Sequence, residues 1–268
     1  MAAAEKLFRF VLSDIVTHRF RTDQHGFDAK NPVRFVPGKF PQGQRMITLY
    51  GLADWAIAQP EVPFWMNTAA EFIDYIFKYH VNLGQYDYLE KFDFIEAIDQ
   101  NFQPWRDGSA IMCDPGHALE FIGLATKCLL VMCTQKIHSA LIERSGAILP
   151  ELFRHIFRLG FNPISGGIVK SFELYSRRPI NSDMPWWNLP EAIRAGRALM
   201  ALYPDRSDGI ESLIEMAFQA FTNGYLQPNG FACQTRDVSG KIIDTIPAVP
   251  DADPGYHTNL SLIDALSF

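Results

Sequence analysis

Apolar residues along the chain recur mostly at helical spacing. Leu7, Phe8, Val11, Leu12 and Ile15 fall on one face of a first helix that ends before His25 and Gly26. The same period predicts helices over 46–58 and 64–79, a long buried helix over 117–135, and one over 148–159 that stops at Gly160. Helices over 189–202 and 207–221 follow, closed by Pro204 and by Asn223-Gly224, and a last one starts near His257. Between successive pairs lie longer segments with turn signals at Asp107-Gly108, Gly166-Gly167 and Ser239-Gly240. Short alternating runs, IVKSFELYS and GKIIDTI, flank these turns and predict small hairpins. The chain thus alternates two helices with one hairpin-bearing loop.

That rhythm has a period. His117, Trp187 and His257 stand 70 residues apart in turn, and one further step back falls on Ile47. The segments ITLYGLADWA, HALEFIGLAT, WNLPEAIRAG and HTNLSLIDAL superpose without a gap, and Pro115, Pro185 and Pro254 precede three of them. Such a series points to a true repeat. A unit of two helices and a loop cannot bury both helical faces alone, so units stack around an axis. The expected fold is all-α, an (α/α)6-type toroid in which residues 1–268 form one domain. Roughly six helix pairs close such a ring. The pattern supplies about four, so the expectation is a toroid incomplete at its N-terminus. An open ring exposes apolar inner-helix surface, and a homodimer is one way to cover it.

Composition narrows the function. A hydrophobic content of 48% marks a globular chain, and the net charge of −6, with no basic stripe, argues against a nucleic-acid partner. The aromatic share of 13% suits a pocket for the apolar faces of sugars. Cys113, Cys128, Cys133 and Cys233 lack C-x-x-C spacing and zinc-finger companions, so reduced thiols are expected and no metal site. The N-terminus reads as an amphipathic helix and not as a signal peptide. The most apolar run, 121–133, is interrupted by Lys127 and is too short to span a bilayer. A cytoplasmic protein with no membrane partner is the resulting expectation.

The chemistry sits where the repeats begin. Pro115-Gly116-His117 leads into Glu120, three residues on and on the same helical face, where its carboxylate can orient the imidazole. Pro185-Trp186-Trp187 leads into Glu191, with Trp187 expected to face inward and Trp186 to pack; Pro254-Gly255-Tyr256 leads into His257. If the repeats superpose, His117, Trp187 and His257 converge on one pocket. Two imidazoles near neutral pKa suit proton transfer at a sugar carbon, one removing a proton alpha to a carbonyl and the other returning it. The bland reading weighs against each residue singly: a histidine at a helix start is usually a cap or core residue, and Glu191 could be a plain helix-face carboxylate. His138 and His155 read as surface or packing residues, and His18, His25 and His80 have no partner motif. Asp183, Asp251 and Asp253 read as turn formers and caps.

These motifs resemble a known family. PGHALEF is similar to the Pro-Gly-His-x-x-Glu-[Trp/Phe] motif of the N-acylglucosamine 2-epimerase superfamily, PWWNLPEAI to its Trp-Trp-x-x-x-Glu-Ala motif, and GYHTNLSLIDAL to its C-terminal Tyr-His segment. The resemblance covers roughly residues 40–268. It implies an (α/α)6 barrel that epimerises sugars at C2 or interconverts aldose and ketose through an enediolate, with no cofactor and no catalytic metal. It further implies His117 and His257 as the acid/base pair, Glu120 as the partner of His117, and Trp187, Glu191 and Trp186 as sugar-site residues. The sequence departs from the family near Ile47, where members carry another histidine; Gln44 and Arg45 are the polar residues present there.

Two other functions compete. A glycoside hydrolase on a similar toroid needs two carboxylates astride the scissile bond, for which Asp183, Glu191, Asp253 and Glu120 are the candidates. A non-catalytic or truncated relative that binds sugar without turning it over fits the small number of helix pairs.

Overall fold

Each long loop returns a short strand to the segment that enters an inner helix, and this arrangement organises the molecule. The computed structural model describes residues 2–20, 36–245 and 256–268. Helix α1 spans Ala2–Val16, and strand β1 (Phe40–Pro41) leads into α2 (Gly43–Ala58), followed by α3 (Phe64–Tyr79). Strand β2 (Ala97–Ile98) precedes β3 (Met112–Cys113), which enters α4 (Pro115–Gln135), followed by α5 (Ser139–Gly160). Strands β4 (Ser171–Glu173), β5 (Arg178–Asn181) and β6 (Met184–Pro185) lead to α6 (Asn188–Leu202). After one 3-10 turn at Pro204–Arg206 come α7 (Ile210–Gly224) and β7 (Thr235–Arg236). A π-helical turn, Tyr256–Leu260, runs into α8 (Ser261–Ser267).

Three antiparallel pairings recur. Phe40 faces Ile98, Met112 faces Glu173 and Met184 faces Arg236, and β5 adds a third strand to the middle sheet. The strands thereby pin the N-termini of α2, α4 and α6 to one end of the molecule. Phe40, Met112 and Met184 recur every 72 residues, and this corrects the 70-residue register. His117 lies within the first turn of α4, whereas Trp187 is the residue before α6. The short strand pairings, and not the helical pattern, set this register.

Helices α2, α4, α6 and α8 form a continuous inner layer, each packed on the next, while α3, α5 and α7 lie outside as partners of α2, α4 and α6. Sequence pattern explains the division. Helices α4 and α6 are buried over most of their circumference, and α5 and α7 present one apolar stripe each. The whole forms a single hydrophobic core running from Leu12 on α1 to Ala265 on α8. The apolar run bounded at 121–133 belongs to a helix of 21 residues, long and apolar enough to cross a membrane by length and composition; here it is the central core helix. Helix α5 begins nine residues earlier than the expected 148. Pro150 suits a first helical turn but lies inside this helix, whose buried face starts at Leu141. Among the described residues the four cysteines are free thiols.

Helix α4 begins with a strong local signal. Asp114 adopts an extended conformation and its Oδ1 accepts from the backbone N–H of Gly116 (3.0 Å) and His117 (3.3 Å), with Pro115 at the first helical position. Gly116 is required by the neighbouring helix. A Cβ there would overlap the Asn188 side-chain oxygen and lie 2.6 Å from the Trp187 ring. Gly116→Ala is therefore expected to push Trp187 and Asn188 aside and to destabilise the fold by about 1–3 kcal/mol. Thermal unfolding and Trp fluorescence check this together; an unshifted Tm would contradict the packing described.

Candidate active site

The strand pairings bring residues from distant loops to the start of α4. Gln42 donates its backbone N–H to the Glu96 carbonyl, and Glu96 donates its own to the Met112 carbonyl, so Glu96 sits beside the chain that enters α4. Glu96 Oε1 then meets His117 Nδ1 at 2.9 Å. Asp114 Oδ2 lies 3.6 Å from the same nitrogen and accepts from Lys170 Nζ at 2.6 Å. Lys170 arrives because β4, which follows it, pairs with β3. None of Glu96, Asp114 or Lys170 was among the expected site residues. Asp114 alone carried a readable signal, an Asp-Pro pair at a helix start; the other two are placed by long-range pairing.

Burial alone would lower the His117 pKa, but the Asp114 and Glu96 carboxylates outweigh it and raise the value from 6.5 to about 9. At neutral pH His117 is therefore an imidazolium. Its side chain remains about a third exposed, so the charge is offered to a ligand and not sealed in the core. A pKa above the unfolded value means that protonation stabilises the fold. That contribution is complete below about pH 6.5 and is lost as pH rises through about 9. Glu96→Gln is expected to make His117 titrate roughly 1–2 pH units lower, which NMR of the imidazole would follow; an unchanged titration would rule Glu96 out as its partner.

The second histidine has its own carboxylate. His257, on the π-helical turn, meets Glu191 Oε1 through Nδ1 at 2.9 Å, and Ser261 Oγ donates to the same oxygen at 2.9 Å. Arg194 donates to Glu191 Oε2. Burial would raise the Glu191 pKa, but Arg194 and the His257 and Ser261 hydrogen bonds hold it below the ordinary carboxylate value. Glu120 shows the opposite. Burial and then the neighbouring Glu191 charge raise its pKa, so of the two carboxyls Glu120 is the more readily protonated.

The position of Glu120 corrects an expectation. Its ligand atoms cluster with those of Glu191 and His257, all within 4.8 Å, and His117 takes Glu96 as its carboxylate instead. Glu120 lies one turn deeper in α4 than His117, on the side facing α6 and the π-helical turn. The Glu120, Glu191 and His257 cluster has the donor types of a metal site, but Arg194 already occupies one Glu191 oxygen, and the raised Glu120 pKa makes it a weaker anionic ligand. A second cluster, Glu90, Asp93 and His155, is likewise committed. Buried Asp93 pairs with His155 Nε2 and Arg177 Nη1, both at 2.8 Å.

Trp187 joins the two halves. It is 2% exposed, its ring stacks on His257 at 4.5 Å between centroids, and His117 lies 5.6 Å away across the same ring. Lys170 Nζ is 5.0 Å from this ring. Trp187 Nε1 and Glu96 Oε2 are buried without a hydrogen-bond partner among the described residues. Trp186 packs against the core. Of the other histidines, His80 is buried against the Ile95 carbonyl, His138 hydrogen-bonds Asn67, and His155 pairs with Asp93 as above. His25, Asp251, Asp253, Pro254 and Gly255 lie outside the described residues. Two surface clefts of about 470 and 730 Å³ run along α5, lined by residues such as Glu151 and Arg154; the first includes His155, and neither includes His117 or His257.

Comparison with known proteins agrees with this architecture. No protein-family model and no curated protein sequence matches the chain. Among solved structures, a D-mannose isomerase superposes with a TM-score of 0.67 over 91% of this chain and 62% of its own, at 15% identity. A cellobiose 2-epimerase from Bacillus thermoamylovorans gives 0.64 over 85% of this chain and 53% of its own, at 12% identity. The chain thus spans less than two thirds of either length. The chain shares the all-helical (α/α) toroid fold of these two structures.

Proposed function

We propose that the chain is a carbohydrate epimerase or aldose–ketose isomerase that moves a proton at C2 of a free sugar or N-acylated amino sugar, without cofactor. The observation that carries this reading is the pair of histidines on the Trp187 ring, each with its Nδ1 held by a different carboxylate. That bond fixes the tautomer of His257, so Nε2 is its proton-accepting atom. His257 is assigned as the base that removes the C2 proton. His117, already an imidazolium, is assigned to stabilise the enediolate oxygen and to return a proton. Return to C2 from the opposite face gives the epimer, and return to C1 gives the ketose. Trp187 supplies the ring against which both imidazoles pack.

A glycosidase reading gains some support from Glu120 and Glu191, whose pKa values are pushed in opposite directions. It fails on access: Glu191 is fully buried, and both its oxygens accept from protein donors. Product analysis after incubation with mannose, N-acetylglucosamine, N-acetylmannosamine and cellobiose tests the proposal. A C2 epimer or ketose from at least one of them is expected; release of glucose from cellobiose would place the chain among hydrolases instead.

A further inference from the structure

Arg45 is a buried cation of a different kind from Arg194. It lies in the first turn of α2 and is 5% exposed, with its guanidinium 3.8 Å above the Tyr75 ring and 5.7 Å from that of Phe72. Its hydrogen bond is a long one, 3.5 Å from Nη2 to the Ile15 carbonyl. Among the described residues no carboxylate lies within ion-pair distance, and tyrosine is the group whose charge would favour the guanidinium. An enclosed guanidinium without a counter-charge costs several kcal/mol in general.

The groups around it are short of acceptors as well. Gln42 is fully buried one turn before Arg45, and neither atom of its amide has a partner among the described residues. The Tyr75 hydroxyl is buried and has no partner among the described residues either. The first N–H groups of the sixteen-residue α2 open on the same end, with the positive pole of its dipole. His80 reports the local field. Burial chiefly, with the Arg45 charge adding to it, pushes its pKa down to about 4.

We propose that Arg45, Gln42 and Tyr75 form a buried site for one small inorganic anion between α1, α2 and α3. Such an ion supplies the missing charge for the guanidinium and an acceptor for the Gln42 Nε2–H and the Tyr75 hydroxyl. Arg45 is itself enclosed by Phe72, Tyr75 and the Ile15 backbone, so a small ion is the occupant that fits beside it. This site lies on the side of α2 that meets α1 and α3 and does not depend on the reaction assigned to His117 and His257.

The test is thermal unfolding of the whole chain in sodium chloride against sodium gluconate at equal ionic strength, gluconate being too large to enter. Wild type is expected to melt about 3–5 °C higher in chloride at ~150 mM. Arg45→Met is expected to melt at one temperature in both salts, at or above wild type in gluconate, because the uncompensated charge is gone. Should that variant not fold, Gln42→Leu serves, with a reduced chloride response. The NMR titration of His80 is expected to move upward in chloride. Equal melting of wild type in the two salts would overturn the proposal, as would an undiminished chloride response in Arg45→Met.

Discussion

His257→Asn is expected to lower the rate of sugar turnover by about 10²–10⁴-fold with the fold intact. The residue lies at the end of the inner layer, on a π-helical turn, and its contacts are to Glu191 and the Trp187 ring. Asparagine keeps a polar group beside Glu191 and preserves Ser261 and Arg194 as donors to it. What it loses is a group that can accept a carbon-bound proton at neutral pH. The loss should therefore appear in kcat, with KM nearly unchanged, because the proton moves only in the transition state. His117→Asn should be as severe for a different reason: it removes the acid that meets the developing oxyanion. Circular dichroism and kinetics on the substrate found by product analysis check both. Turnover by the double variant at the wild-type rate would remove the histidines from the mechanism.

Arg194→Met is expected to cost the most stability of any substitution at the site. Both Arg194 and Glu191 are fully buried, and Arg194 also approaches Asp264 at 3.7 Å, which in turn pairs with Lys127 at 3.1 Å. This chain of charges ties α4, α6 and α8 together where the inner layer ends. Gly123 on α4 makes room for it, since a Cβ there would lie 3.1 Å from Arg194 Nε. Removing the cation leaves Glu191 buried beside a second carboxyl, at a cost of about 3–5 kcal/mol or a fall in Tm of roughly 6–15 °C. The sign of its pH dependence follows. In wild type the depressed Glu191 pKa contributes stability at neutral pH that is lost on acidification. Without Arg194 the carboxyl favours its proton, so the deficit of the variant should shrink as pH falls from 8 toward 5. A deficit independent of pH would show that Glu191 is not the group left uncompensated.

Much of this site was legible because its residues sit at helix starts. Periodicity located α2, α3, α4 and α6 within a few residues, and the Pro-Gly-His and Trp-Trp motifs marked the ends at which chemistry collects. Gly116 shows why the motif has its form: no side chain fits where α6 delivers Trp187 and Asn188. The carboxylate partners were harder. Glu120 stands three residues from His117 and looked like its companion, yet the helix turns it toward His257, and Glu96 takes its place from 21 residues upstream. Lys170 reaches Asp114 across 56 residues. Such loop residues carry no periodic signal, and the strand pairings that position them are two or three residues long, too short to stand out in the sequence.

The central claim, proton transfer at C2 by the two histidines, is tested most directly by solvent exchange. Each candidate sugar is incubated with the protein in deuterated water and its C1 and C2 protons are followed by NMR. Deuterium is predicted to enter at C2 of the substrate with wild type, and to stop doing so when His257 is replaced by asparagine. Exchange that continues at the wild-type rate in that variant would contradict the account, as would a folded wild-type protein that converts a sugar while leaving its C2 proton in place.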